Sequence, residues 1–417
     1  MTGWRECKLG DLLEIKHGYA FKGEYFAGTG THVVLTPGNF FDEGGFKAKG
    51  NEEKWYTGPV PSDFVLNEGD LIVAMTEQAE GLLGSSARIP RSGVYLHNQR
   101  LGLVQVRDES AADRRFLYYL FNSRPVRAQI RASASGAKVR HTAPSRIAEV
   151  RVSVPSLPVQ RRIAAILSAY DDLIGNNLQR IKIVEEMART LYQEWFVEFR
   201  FPGHEKVRMV DSLLGKIPEG WEMRNLGELC ALRKDRYEDG QHSDLPLLDL
   251  AKMLQRTLAV GEMGSPKELT TSRILFEEDD ILFGSIRPYL HKVILAPCRG
   301  VTNISVLVIR PAEARLRSLL SVLLSSEGVI RWADQHSNGT KMPVIKWDVL
   351  EKMPVLVPVQ SLLQRFQDVV QPMLQTIKIT SAHDRNLRHT HDLLLPKLIS
   401  GELDVSEIDI VVPVEVV

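Results

Sequence analysis

Two histidines, His389 and His391, flank Thr390 in a His-x-His spacing that can hold a transition metal. The surrounding residues have helical periodicity, and on a helix residues two apart point about 200° apart. Solvent or packing positions therefore suit this pair better than a shared ion. Gly215-Lys216 lacks both the upstream glycine and the following Ser/Thr of a phosphate-binding loop. Cys7, Cys230 and Cys298 stand singly, which argues against a disulfide framework and against a cysteine-based zinc site. There is no dinucleotide-type glycine cluster after a strand and no His-Glu-x-x-His. The Asn/Asp-Pro-Pro-aromatic motif of amino-methyltransferases and a Pro-Asp…Glu-x-Lys nuclease core are also missing. The expectation is a chain with no catalytic and no metal-binding residues, whose chemistry belongs to a partner.

What remains is charge. From Arg114 to Ala148 the sequence carries Arg114, Arg115, Arg124, Arg127, Arg131, Lys138, Arg140 and Arg146, plus His141, with no carboxylate before Glu149. From Ile281 to Ala312 it carries Arg287, Lys292, Arg299 and Arg310, plus His291, again without an acid. The whole chain is neutral, with 52 basic and 52 acidic residues, which counts against indiscriminate coating of nucleic acid. Local cationic patches are still what phosphate contacts require. The candidate DNA-binding residues are Arg131, Lys138, Arg140 and His141 in the first run. In the second they are Arg287, Tyr289, Lys292, Asn338 and Lys341. The loops Gly136-Ala137-Lys138 and Gly339-Thr340-Lys341 add donor-rich backbone.

The elements that would position these residues occur twice. WRECKLGDLLEI at Trp4 is echoed by WEMRNLGELCAL at Trp221, a shift of 217. FVLNEGDLIVAMT around Asp70 is echoed by ILFEEDDILFGSI around Asp280, a shift of 210. FLYYLFNS at Phe116 falls on LLSVLLSS at Leu319, SGAK at Ser135 on NGTK at Asn338, and Pro155 on Pro358, all at a shift of 203. A fixed order with a shrinking offset reads as a duplication with loops trimmed from the second copy. Each copy begins with short β-branched and aliphatic runs between Gly, Pro and Asn breakers, and predicts strands. A single helix then follows, from about Arg114 and from about Arg315. The fold class is α+β, in two tandem mixed domains.

After Pro155 and Pro358 the period changes to heptad-like spacing. Ile163, Ile166, Tyr170, Leu173, Asn177, Ile181, Val184, Ala188, Leu191 and Trp195 form one stripe. Leu363, Phe366, Val370, Met373, Ile377, Thr380, Asp384, Leu387, His391, Leu394 and Leu398 form the other. Each helix would run for about 60 Å at 1.5 Å per residue. Its stripe needs a partner, and the duplicate helix has one of matching length. The alternative is that each helix packs on its own domain. The 417 residues, 44% hydrophobic and 25% charged, suit a soluble protein of two or three domains. Neither a signal peptide nor a membrane span is evident, so the cytoplasm is the expected location.

These features together resemble the specificity (S) subunit of type I restriction-modification systems. The matching stretches are LGDLLEIKHGYAF, NQRLGLVQV, VPSLPVQRRIAAIL and LYQEWFVEF in the first half. In the second half they are GKIPEGWEMRNLGEL, SIRPYLHKVILAP, NGTKMPVIKWDVLEKMPVLVP and the terminal HDLLLPKLISGELDV. The resemblance implies target-recognition domains over 1–155 and 219–358, each reading one half of a bipartite, gapped DNA site. It implies conserved helices over 156–200 and 359–402 that form an antiparallel coiled coil, with a linker at 201–218 and a tail at 403–417. Double-stranded DNA, two methyltransferase (M) subunits and motor-nuclease (R) subunits would be the partners. S-adenosylmethionine, ATP and Mg would sit on those partners, with no cofactor bound by this chain. One departure concerns the Pro-x-x-x-Gln-x-x-Ile start of the conserved helix. Its Gln-x-x-Ile part is met at Gln160 to Ile163, with four residues rather than three after Pro155, and only loosely at Pro358 and Gln364 to Phe366. Two other readings compete: a specificity subunit of another DNA-modifying defence system, and a coiled-coil scaffold that does not bind DNA.

Overall fold

The computed structural model of the chain describes residues 3–78, 80–212, 215–237, 245–268 and 272–410, so 411–417 of the expected tail lie outside the described residues. The chain forms two compact units. Unit 1 is Met1–Asp171 with His389–Val417, and unit 2 is Asp172–Arg388.

In unit 1, strand Arg5–Lys8 pairs antiparallel with Arg151–Val154. Leu9–Leu12 make one helical turn, whose start is closed by the Asp11 carboxylate accepting the Lys8 N–H at 2.8 Å. The chain then enters a four-stranded antiparallel sheet in the order Leu13–His17, Leu101–Val106, Leu71–Ala74, Ser86–Arg88. Alternation along the central strand builds two cores. Leu71 and Val73 face Phe116, Leu117 and Phe121, while Ile72 and Ala74 face Val33, Leu35 and Phe40.

Unit 2 repeats this plan. Glu222–Asn225 pairs with Pro354–Val357, and the sheet order is Cys230–Arg233, Val306–Pro311, Ile281–Gly284, Val293–Leu295. Again the central strand is buried on both faces, with Ile281 and Phe283 in one core and Leu282 in the other. The shifts seen in the sequence thus correspond to matching strands in matching order.

The single helix expected in each copy is two helices. They are Arg114–Asn122 and Arg124–Ala132 in unit 1, and Arg317–Leu324 and Glu327–Gln335 in unit 2. Serine makes the break in both. The Ser123 hydroxyl donates to the Leu120 carbonyl at 2.7 Å, ahead of Pro125, which cannot donate a backbone N–H. The Ser326 hydroxyl accepts the Val329 N–H at 3.4 Å as an N-cap.

Two long helices follow the domains. The first, Leu157–Tyr192, continues into a π-helical turn at Gln193–Val197, and the second is Gln360–Ser400. In unit 1, Ile163, Ala164 and Leu167 share a core with Leu398 and Ile399, and also with Leu9 and Phe116 of the domain. In unit 2, Ile181, Ala188, Trp195 and Phe196 share a core with Phe366, Val370, Leu374 and Ile377. Of the seam candidates, Ile163, Ile181, Phe366, Val370, Ile377 and Leu398 are buried. Ile166, Tyr170, Asn177, Leu191, Met373, Leu387 and Leu394 are half-buried. Leu173 breaks the stripe, standing 51% exposed.

Gln160 explains the motif at the start of the first helix. Fully buried, its amide donates to the Ala111 and Pro155 carbonyls at 3.0 and 2.9 Å and accepts the Asp113 N–H at 3.0 Å. In unit 2, Gln364 is exposed and reaches only Asp368, and Leu363 at the equivalent position is buried in the core. Gln367, one turn on, takes the Ser318 N–H at 3.1 Å instead. Among the described residues no helix is long and apolar enough to cross a membrane.

A buried histidine makes unit 1 acid-sensitive. His97 is fully buried, with Nε2 2.9 Å from the Leu101 carbonyl and Nδ1 without a partner among the described residues. Burial pushes its pKa down to about 4. Between that value and the unfolded value of about 6.5, the unfolded chain binds the extra proton and the folded one does not. Stability from His97 is therefore complete above that window and lost as pH falls through it, by on the order of 3 kcal/mol. Urea unfolding of wild type and His97→Gln at pH 7 and pH 4.5 checks this. The expected result is a smaller acid loss in the variant, and equal losses would remove His97 as the cause.

Candidate nucleic-acid interface

Each unit presents one lysine on a loop closed by backbone hydrogen bonds. In unit 1, Ser135 and His141 exchange N–H···O bonds of 3.0 and 2.8 Å, enclosing residues 136–140. Gly136 has φ +104°, and a Cβ there would collide with the Val139 carbonyl oxygen, so the loop requires glycine. Arg146 braces the loop base, its Nη1 donating to the Ser133 carbonyl at 2.8 Å and the Ser135 hydroxyl at 3.1 Å. Lys138 at the tip and Arg140 are exposed, with no partner for either charge among the described residues. Arg140–His141 pairs with strand Thr76–Glu77, and His141 Nδ1 lies 3.2 Å from the Thr76 hydroxyl.

Unit 2 builds the same loop. Asn338 and Val344 exchange bonds of 3.0 and 2.9 Å, Gly339 has φ +102°, and Lys341 is exposed and unpaired among the described residues. Asn338 is likewise exposed. The turn after strand Ile281–Gly284 contributes Arg287, whose N–H donates to the Pro343 carbonyl at 2.7 Å, followed by Tyr289, which is 48% exposed. Met342, 53% exposed beside Lys341, joins this lip. Nothing in the residue pattern around Pro343 singles it out.

Other candidates turn inward. Arg131 is half-buried and faces Glu77 at 3.8 Å and Glu80 at 3.5 Å, so its charge is answered within the domain. Lys292 donates to the Leu250 carbonyl at 2.7 Å, and burial lowers its pKa. The acid-free runs are not acid-free in space. Arg114 meets Glu109, Arg299 meets Glu277, and Arg310 meets Asp280. Arg127, its pKa lowered by burial, holds the carbonyls of Asp42, Gly81 and Leu83. His291 is buried, with Nε2 2.8 Å from the Ser325 carbonyl, and burial lowers its pKa too. The exposed, uncommitted members are Lys138, Arg140, Arg287, Tyr289, Asn338 and Lys341. Among the described residues no cluster of three metal-ligating side chains occurs.

The two units are duplicates of one α+β plan, and each carries a cationic lip at the equivalent loop. Residues 1–186 match the family described as type I restriction modification DNA specificity domain. The chain is 27% identical over 308 residues to the type I restriction enzyme MjaIX specificity subunit of Methanocaldococcus jannaschii, covering 70% of each. It is 24% identical over 190 residues to the EcoBI specificity subunit of Escherichia coli, covering 46% of this chain and 37% of that one. Its fold is similar to the crystal structure of the type I S subunit from M. genitalium, with a TM-score of 0.64, 17% identity and 97% of both chains covered. The resemblance read from the sequence is borne out: these matches run to one family, the S subunits of type I restriction-modification systems.

Proposed function

We propose that this chain is the DNA-sequence-specificity subunit of a type I restriction-modification complex. The observation that carries this reading is the equivalent loop in each duplicated unit, which exposes a lysine, unpaired among the described residues, at the same position, Lys138 and Lys341. Two such lips suit a bipartite DNA site, with each unit reading one half. The long helices pair antiparallel as a coiled-coil spacer. This is supported by Ile163 and Leu167 sharing a core with Leu398, and Ile181 and Ala188 with Phe366 and Val370. Leu173, Leu178, Ile183 and Met187 leave apolar surface on the first helix for two methyltransferase subunits, with motor-nuclease subunits joining that core. Methylation, cleavage and the S-adenosylmethionine, ATP and Mg they use belong to those partners, and the complex works in the cytoplasm.

The test is methylation of a random DNA library by the chain purified with its methyltransferase partner, followed by sequencing of the modified bases. One gapped sequence is expected, and uniform or absent modification would sink the proposal. The spacer has its own test. Seven residues inserted into each helix, after Gly175 and after Asp384, add about 10 Å. The gap should then lengthen by about three base pairs at 3.4 Å each, with both half-sites unchanged. Altered bases with a constant gap would discard the ruler.

A further inference from the structure

The two lips carry their arginines on opposite sides of the bridge that closes each loop. In unit 1, His141 pairs with Thr76 and Arg140 with Glu77. In unit 2 the corresponding bridge joins Val344 to Ile286, which places Pro343 where Arg140 stands and Arg287 where Glu77 stands. Glu77 is buried, accepting the Gly81 and Leu83 N–H groups at 3.2 and 2.9 Å, and serves its own loop. Arg287 does the reverse and points its charge to solvent.

Three observations set Arg287 apart. Its backbone is left-handed, φ +50° and ψ +64°, a conformation that a turn fills most easily with glycine or asparagine. The turn is held rigidly. Arg287 donates its N–H to Pro343, Leu290 donates to Arg287, and the buried His291, also left-handed, anchors the far end through Ser325. Finally, Arg224, Arg233, Arg256, Arg299, Arg310, Arg315 and Arg317 of the same domain each face a carboxylate. Arg287 faces none among the described residues; the same holds for Arg236 and Arg331, but neither of those has a left-handed backbone. A strained, pinned backbone that displays one unpaired guanidinium is a device for presenting a fork in a fixed orientation.

We propose that Arg287 is a base-reading residue of unit 2, offering its guanidinium to the acceptor edge of a guanine, while Lys341 on the adjoining loop holds phosphate. The assignment rests on the DNA-reading function proposed above. It follows the chemistry of the two groups: a planar fork matches two acceptors on one base edge, whereas a lysine ammonium is a point charge without sequence preference. In unit 1 the arginine comes from the loop strand, so the two lips read their half-sites in different registers.

The test uses the full chain with its methyltransferase partner and selection of bound sequences from a random DNA library. Arg287→Gly keeps the left-handed turn and removes only the side chain. It is expected to relax one or two positions in one half-site, leave the other half intact, and weaken binding of the parent site about tenfold to a hundredfold. Arg287→Lys, which keeps charge but loses the fork, should behave the same way. Lys341→Ala should weaken all sequences alike, reducing the slope of log affinity against log salt by about one, with the selected bases unchanged. If Arg287→Gly selects the wild-type sequence, or Arg287→Lys restores it fully, base reading by Arg287 is overturned. A wild-type complex that selects no sequence would instead overturn the DNA-specificity function beneath it.

Discussion

A chain in which Lys138, Arg140 and Lys341 are all replaced by glutamate is expected to lose specific DNA binding while keeping its fold. All three are exposed and, among the described residues, free of internal partners, so their removal leaves no buried group there unsatisfied. Each phosphate left without its cation takes about 0.9 from the salt slope, and at moderate salt about tenfold from the affinity. Three together give about a thousandfold, before counting repulsion by the new carboxylates. Fluorescence anisotropy with the methyltransferase partner, at several salt concentrations, reads both affinity and slope. Unchanged affinity with an unchanged slope would mean that the lips face away from DNA, and would favour a scaffold whose domains bind proteins.

The second large effect concerns stability. Asp280 is 1% exposed and takes two hydrogen bonds from the Arg310 guanidinium, at 2.7 and 2.8 Å, plus the Glu277 N–H at 2.8 Å. Arg310→Met leaves that carboxylate buried with one bond, which costs about 3 kcal/mol or more. Unit 1 provides the control. Its Asp70 takes the Asn67 N–H at 2.8 Å in the same turn, but is only half-buried, and Gln105 stands where Arg310 would. Asp70→Ala should cost only about 1 kcal/mol. Urea unfolding followed by tryptophan fluorescence reads both, through Trp195, Trp221, Trp332 and Trp347 in unit 2 and Trp4 and Trp55 in unit 1. Equal losses would show that burial of Asp280 is not what makes the pair matter.

Much of the architecture could be read from residue order. Patterns that act locally survive translation into structure: the short apolar strand runs after Asp70 and Asp280, the glycine loops before Lys138 and Lys341, and the heptad spacing after Pro155 and Pro358. What failed were inferences that treated neighbourhood in sequence as neighbourhood in space. Arg131 looked unpaired because no acid lies near it in sequence, but sheet pairing and the loop after Glu77 bring Glu77 and Glu80 to it. Arg310 and Arg299 meet acids from the turn before the central strand in the same way. Lys292 is spent on a backbone carbonyl, an acceptor that every residue carries and no sequence pattern reveals. The split at Ser123 was written in Ser-Arg-Pro, a serine that can cap followed by a proline that cannot continue a helix. Leu173 shows the limit of periodicity, since a heptad slot says which way a side chain points along the helix, and not whether anything stands there.

Unit 1 is assembled from both ends of the described chain. Leu398, Ile399 and Val405 complete its core, Arg162 donates to the Ser406 carbonyl at 2.8 Å, and Gly401 lies against the Trp4 indole. Unit 2 is one uninterrupted stretch. During synthesis on the ribosome, residues 3–171 emerge first yet lack part of their own interior until residues 394–406 follow. By then all of unit 2 has left the exit tunnel and can already have folded. The domain translated first is thus the last to close. Until it does, apolar surface around Ile163 and Leu167 is open to chaperones, to proteases, and to a second nascent chain donating its own terminal helix in trans.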